Sequence, residues 1–273
     1  MFGHRVTDWD DAYANGVNIP RGERWPEAWV APAAAFRAAL GGRAELDLPY
    51  GPGARERFDL FRPEGAARGL AVFVHGGFWM RLDKSFWSHL AAGALARGWA
   101  VATPSYPLAP DARIAGITRA VARAVEAAAA MVPGPIRLSG HSAGGHLAAR
   151  MVCADGPLAE AVAARVERVV SISGVHDLRP MLRTAMNATL RLDLAEARAE
   201  SPALLEPRAG VRLTCWVGAA ERAEFVRQSA LLASAWRGCG LWTEAVAEPD
   251  RHHFDVIDGL ADADHPLTAA LAG

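Results

Sequence analysis

The sequence predicts an α/β fold, a mostly parallel central sheet with helices on both faces. Three observations carry that expectation. From Ala44 onward, short apolar runs alternate with helical patterns, as strand–helix–strand units require. Leu70-Ala71-Val72-Phe73-Val74, running into His75, is continuously apolar, the mark of a central strand covered on both faces. A glycine-flanked serine, Gly140-His141-Ser142-Ala143-Gly144, directly follows the apolar run Pro135-Ile136-Arg137-Leu138-Ser139 and opens a helical pattern.

The opening segment through about Pro32 is rich in Trp, Pro and Gly (Trp9, Trp25, Pro26, Trp29) and shows neither helical nor alternating periodicity. It reads as a packed arm, because three tryptophans in a disordered tail would leave apolar surface in water. Residues 1–40 are therefore expected to contribute to a lid or pocket. Arg57–Phe61 alternates polar and apolar residues, as in a strand with one solvated face. Further strands are expected at Leu70–His75, Trp99–Thr103, Ile136–Ser139, Val169–Ser173, Leu213–Val217 and Trp242–Ala247. Helices are expected at Ser85–Arg97, Ile114–Met131, Ala143–Cys153, Glu221–Trp236 and Pro266–Leu271. No internal repeat, low-complexity tract or linker divides the chain, so residues 1–273 read as one domain.

Bulk composition narrows the function. The chain has 273 residues, 51% of them hydrophobic, and a net charge of −1, which describes a globular protein with ample core. There is no basic excess to neutralise phosphates, so nucleic-acid partners are not expected. No apolar run approaches the roughly 18 residues of a membrane span. Cys153, Cys215 and Cys239 are odd in number and widely spaced, forming neither a disulfide framework nor a zinc pattern. That usage and a polar N-terminus point to the cytoplasm, with no metal or cofactor expected.

The serine pentapeptide carries the chemistry. Small neighbours let the chain turn sharply while the Ser142 hydroxyl projects outward, and a serine attacks a carbonyl only when exposed and paired with a base. The bland alternative is a glycine-rich turn that merely closes a strand. His75-Gly76-Gly77-Phe78-Trp79, at the end of the most apolar strand, lets backbone amides approach a substrate closely. The amides of Gly77, Phe78 and Ala143 are the expected oxyanion donors, with His75 organising the loop. Where such a nucleophile sits on a strand–helix sheet, an acid and then a histidine follow it in the chain. His253 is the favoured base and His252 the alternative. His146 lies one turn beyond Ser142, His176 follows too early a strand, and His265 precedes Pro266 as a helix cap. Glu221 follows the Leu213–Val217 strand and is the favoured acid, with Glu224 and Asp177 as competitors.

At these residues the chain resembles the α/β-hydrolase superfamily, in particular its arylformamidase (kynurenine formamidase)-like and hormone-sensitive-lipase-like esterase branch. The resemblance spans nearly the whole length. It includes Tyr50-Gly51, the His75–Trp79 loop, Ser105-Tyr106-Pro107-Leu108-Ala109-Pro110, Gly140–Leu147, Asp177-Leu178, Ser201-Pro202, Glu224-Phe225 and His253-Phe254. It implies Ser142 as nucleophile, His253 as base and Glu221 as acid, although many formamidase-like members carry aspartate at the acid position. It also implies that loop aromatics, with Phe78, Trp79 and Tyr106 as the candidates, shape the acyl or aryl pocket together with the N-terminal arm. The expected activity is hydrolysis of N-formylkynurenine-like aryl formamides, with a short-chain carboxylesterase using the same residues as the alternative. A non-catalytic binding protein on the same fold is the rival from another class. The expected partner is a small acyl amide or ester, and a homodimer stays open.

Overall fold

The computed structural model describes residues 5–273; residues 1–4, the start of the expected arm, lie outside them. Eight strands form one sheet in the order β1-β2-β4-β3-β5-β6-β7-β8. In chain order they are β1 (Ala44–Pro49), β2 (Arg57–Phe61), β3 (Leu70–Val74), β4 (Ala100–Pro104), β5 (Ile136–His141), β6 (Val166–Ile172), β7 (Arg212–Gly218) and β8 (Trp242–Glu248). Only β2 runs against its neighbours; β4, β3, β5, β6, β7 and β8 are parallel. The central strands β3, β4 and β5 are buried at every position, which is why they read as continuous apolar runs. Successive residues serve opposite faces. Leu70, Val72 and Val74 join Ile117 and Val121 of the Ile114–Met131 helix in one core, whereas Phe73 meets Trp29 and Trp87 in another.

Three elements differ from the sequence reading. The arm contains a 16-residue helix, Trp25–Leu40, where no periodicity was expected. Its buried stripe is sparse: Trp29 and Ala33 are buried, while Trp25, Phe36 and Leu40 pack only partly against the cores. Alanines, Pro26 in the first turn and Pro32 inside the helix mask that stripe in the sequence. Strand β1, an edge strand of mixed burial with no strict alternation, was likewise unexpected. The expected Ser85–Arg97 helix is instead two 3₁₀ turns, Lys84–Phe86 and Ser88–Ala91, followed by the short Ala92–Ala96 helix. Trp87, with φ −127° and ψ 20°, interrupts the helical path and turns its indole into the core.

The parallel strands place their C-terminal ends along one edge of the sheet, where ligands of open α/β sheets bind. The loop after β3, the turn after β5 and the segments after β7 and β8 all open there. Close backbone packing holds the turn after β5. A Cβ on Gly140 would lie 2.2 Å from the Gly144 carbonyl oxygen, and one on Gly144 would lie 1.9 Å from the Val74 oxygen. Both obstacles are backbone, so neither can swing away. Gly144→Ala is expected to cost about 2–3 kcal/mol by overpacking, read in a thermal melt as a Tm fall of roughly 5–10 °C.

Candidate active site

Ser142 sits at the junction of β5 and the Ala143–Arg150 helix with φ 56° and ψ −118°, outside the ordinary regions for a side-chain-bearing residue. The strain is held by its surroundings. The Ser142 N–H donates to the Ile172 carbonyl of β6 at 2.8 Å, and the Ser142 carbonyl accepts from the His146 N–H at 3.2 Å to start the helix. This is the sharp strand-to-helix turn that the Gly140–Gly144 pattern predicts.

The His75–Trp79 loop packs directly against that turn. A Cβ on Gly76 would lie 3.2 Å from the Ser142 Cβ. Gly77, Phe78 and Trp79 have φ values of 112°, 53° and 58°, a run of left-handed backbone that coils the loop. The Gly77 carbonyl accepts from the amides of Met80 and Arg81 and closes the coil. Among the described residues, the amides of Gly77, Phe78 and Ala143 donate to no protein acceptor. His75 organises the loop: its Nδ1–H donates to the Gly76 carbonyl at 2.7 Å, and its ring stacks on Tyr106 at 4.2 Å. Burial lowers the His75 pKa to about 4, so the ring is neutral at physiological pH.

His253, which lines the same cavity as Ser142, forms a close pair with Glu221. His253 Nδ1 lies 2.6 Å from Glu221 Oε2, and both side chains are almost wholly buried. The other carboxylate oxygen, Oε1, accepts from the Gly218 N–H at 2.8 Å and from the Ser173 hydroxyl at 2.5 Å. Glu221 is thereby fixed in one orientation. It stands in the turn before the Ala223–Gly238 helix, which starts two residues later than expected.

The competing residues are engaged elsewhere. Both Asp177 carboxylate oxygens accept from Arg179. Although burial pushes this carboxyl up, those hydrogen bonds outweigh it and hold its pKa below the usual range. Glu224 accepts from Tyr13, Arg227 and Gln228. The Nδ1 of His252 accepts from the amides of Phe254 and Asp255, and His265 caps the last helix through the Leu267 N–H. His146 and His176 are buried, with pKa values lowered to about 3 by desolvation.

Ser142 and His253 line one cavity of about 1180 Å³, together with Gly77 and Phe78. No hydrogen bond between Ser142 Oγ and His253 Nε2 is present among the described residues. The remaining expected pocket aromatics lie behind the wall. Trp79 is fully buried with its indole edge-on to His146, and the Tyr106 hydroxyl donates to the His75 carbonyl at 2.8 Å. The aromatic lining comes instead from Tyr13, Trp29, Trp87 and Phe254. Residues 13–23 of the arm supply much of the rest. The arm is anchored by Tyr13, whose hydroxyl donates to Glu224 at 2.9 Å, by an Arg222–Asp11 ion pair and by the Ala185 N–H on Asp10 at 2.7 Å.

Two site residues carried no sequence signal as functional groups. Ser173 reaches Glu221 across 48 residues of chain, and His141 donates through Nε2 to the His253 carbonyl across 112. Among the described residues, no group of three or more His, Cys, Asp or Glu is arranged to hold a metal ion, and no helix is long and apolar enough to cross a membrane.

The family model BD-FAE matches residues 58–207, from β2 through the segment that precedes β7. The chain belongs to the BD-FAE family. Within that family it is an α/β-hydrolase of the arylformamidase-like esterase branch. A kynurenine formamidase of Danio rerio is 30% identical over 83% of this chain and 80% of its own. A kynurenine formamidase of Drosophila melanogaster is 28% identical over 99% and 98%. A crystal structure from Silicibacter sp. TM1040, of a protein provisionally described as a thioesterase, superposes with a TM-score of 0.94 at 50% identity. It covers 98% of this chain and all of its own. A Pyrobaculum calidifontis esterase, 18% identical with a TM-score of 0.69 over 90% of this chain and 89% of its own, shares the fold. As a BD-FAE hydrolase the chain is an enzyme.

Proposed function

We propose that this BD-FAE hydrolase is a serine hydrolase of small acyl amides or esters, most specifically an arylformamidase acting on N-formylkynurenine-like aryl formamides. The observation that carries the reading is the buried Glu221–His253 pair at 2.6 Å, facing the same cavity as the strained Ser142 turn. The similarity to kynurenine formamidases supports a formamide substrate over other acyl groups.

In the proposed reaction Ser142 Oγ attacks the carbonyl carbon as His253 Nε2 takes its proton. Glu221 holds Nδ1–H and stabilises the imidazolium. The hole formed by the Gly77, Phe78 and Ala143 amides receives the oxyanion, each donor contributing about 3–4 kcal/mol in the transition state. His253 then protonates the leaving amine or alcohol as its bond to the acyl carbon breaks. Water, deprotonated by the same imidazole, releases the acid and restores Ser142. Oγ and Nε2 must come within hydrogen-bond reach for the first step, and such catalytic contacts commonly tighten only when substrate is bound. The chain's own groups supply base, acid and oxyanion donors, so the proposal includes no metal or organic cofactor.

Short-chain carboxylesterase activity is the second reading. A cavity of about 1180 Å³ has room for acyl groups far larger than formyl. A panel of N-formylkynurenine, p-nitrophenyl acetate, p-nitrophenyl butyrate and an acyl thioester tests both. The formamidase reading expects the highest kcat/KM on the formyl aryl amine; a preference for either nitrophenyl ester moves the assignment to the carboxylesterase.

The enzyme works as one domain whose arm completes the pocket, in a reducing compartment such as the cytoplasm. There its free thiols (buried Cys153 and Cys215, exposed Cys239) would persist. Its partner is a small-molecule substrate.

A further inference from the structure

His141 precedes Ser142 at the end of β5, and the reaction just proposed gives it no task. Its position is unusual. The ring Nε2–H donates to the main-chain carbonyl of His253 at 2.8 Å, and the two imidazole rings lie 4.6 Å apart, tilted by 43°. On its other edge the ring abuts the glycine loop, since a Cβ on Gly76 would lie 3.2 Å from His141 Nδ1. His141 is 3% exposed. One side chain thus touches the nucleophile turn, the loop of oxyanion donors and the base.

The chemistry of the ring suits a fixed donor. Burial, and secondarily the neighbouring His253, hold the His141 pKa well below that of a free imidazole, so the ring stays neutral. The Nε2–H bond to a carbonyl fixes the tautomer, leaving Nδ1 as a lone-pair nitrogen without a partner among the described residues. A neutral ring beside the base adds no positive charge to oppose the imidazolium that forms during acylation. A second positive ring at 4.6 Å would oppose it.

The base needs such a second support. Glu221 fixes the His253 ring only at Nδ1, about which the imidazole and its loop could still pivot. Phe225 covers the ring on one side, with its centroid 4.4 Å away, but offers no polar contact. The bond from His141 pins the main chain of His253 to the end of β5, the same strand end from which Ser142 projects. Nucleophile and base are therefore registered to each other through one rigid side chain.

We propose that His141 is a positioning residue, which through its Nε2–H holds His253 in register with Ser142. The inference rests on the serine-hydrolase reading and is tested apart from it. The variants are His141→Leu, which keeps bulk without the donor, and His141→Gln, whose amide N–H falls near the Nε2 position. The readouts are the rate of Ser142 labelling by a fluorophosphonate, kcat and KM on p-nitrophenyl acetate, and Tm. A displaced base costs on the order of 10- to 100-fold. The Leu variant should therefore lose that much in labelling rate and kcat while KM changes less than about threefold. The Gln variant should recover to within a few-fold of wild type.

Leu and Gln variants equally impaired in proportion to their loss of Tm, or a Leu variant as fast as wild type, would overturn the positioning role. Should the Leu variant fail to fold, His141→Asn, whose amide is too short to reach the carbonyl, takes its place with the same expected loss. A wild-type protein that takes no label would sink the serine-hydrolase reading instead.

Discussion

Ser142→Ala is expected to abolish fluorophosphonate labelling and to lower kcat on the preferred substrate by about 10⁴- to 10⁶-fold. Alanine removes the only atom that would bond to the acyl carbon. It should leave the fold intact, because the turn at φ 56° is held by the Ser142 N–H on Ile172 and by the flanking glycines, not by the hydroxyl. A Tm close to wild type and a residual rate set by the donor loop and the cavity are the expected companions. Labelling of the alanine variant equal to that of wild type would remove Ser142 from the mechanism.

Glu221→Gln has the second-largest expected effect, a loss in kcat of about 10²- to 10⁴-fold. The size follows from the two sides of the carboxylate. Oε1 accepts from the Gly218 amide and the Ser173 hydroxyl, while Oε2 faces His253 Nδ1. A glutamine keeps the first pair of bonds by turning its oxygen toward them, which points its NH₂ at Nδ1. The imidazole then carries its proton on Nε2 and cannot accept the one from Ser142. The alternative rotamer would set the NH₂ against the Gly218 N–H. Asp177→Asn is the matched control: that carboxylate pairs with Arg179, and the activity of the variant should stay within about twofold of wild type. Reversed results for the two substitutions would reassign the acid.

Much of this site is legible in the chain because its parts occupy strand ends in sequence order. β3, β5 and β7 can be read as apolar runs and β8 as a further strand, and Gly76-Gly77, Ser142, Glu221 and His253 follow them in turn. Gly140 and Gly144 are needed where backbones nearly touch, so the pentapeptide records a steric fact as well as a chemical one. What stayed hidden depends on tertiary distance. Nothing local marks Ser173 as the partner of a carboxylate 48 residues away, or His141 as the partner of a carbonyl 112 residues away. Trp79 and Tyr106 are expected as pocket aromatics through the family resemblance. Left-handed backbone through Gly77–Trp79 and the stack of Tyr106 on His75 commit both to the core instead. The Trp25–Leu40 helix escaped because it buries only one thin stripe, diluted by alanine and interrupted by proline.

The anchoring of the arm has a consequence for how the enzyme is made. Tyr13 bonds to Glu224 and Gln228, 211 and 215 positions later, and Asp11 pairs with Arg222. During synthesis the first-made part of the cavity wall therefore waits for nearly the last. Closing such contacts carries the loop-closure cost of the whole intervening chain. Tyr13 lacks its partner Phe225 until the Ala223–Gly238 helix has emerged, and Trp29 lacks Phe254 for longer still. A nascent chain halted before β7 would display the Ser142 turn without Glu221, His253 or an anchored arm, so the candidate site is completed only after His253 has emerged.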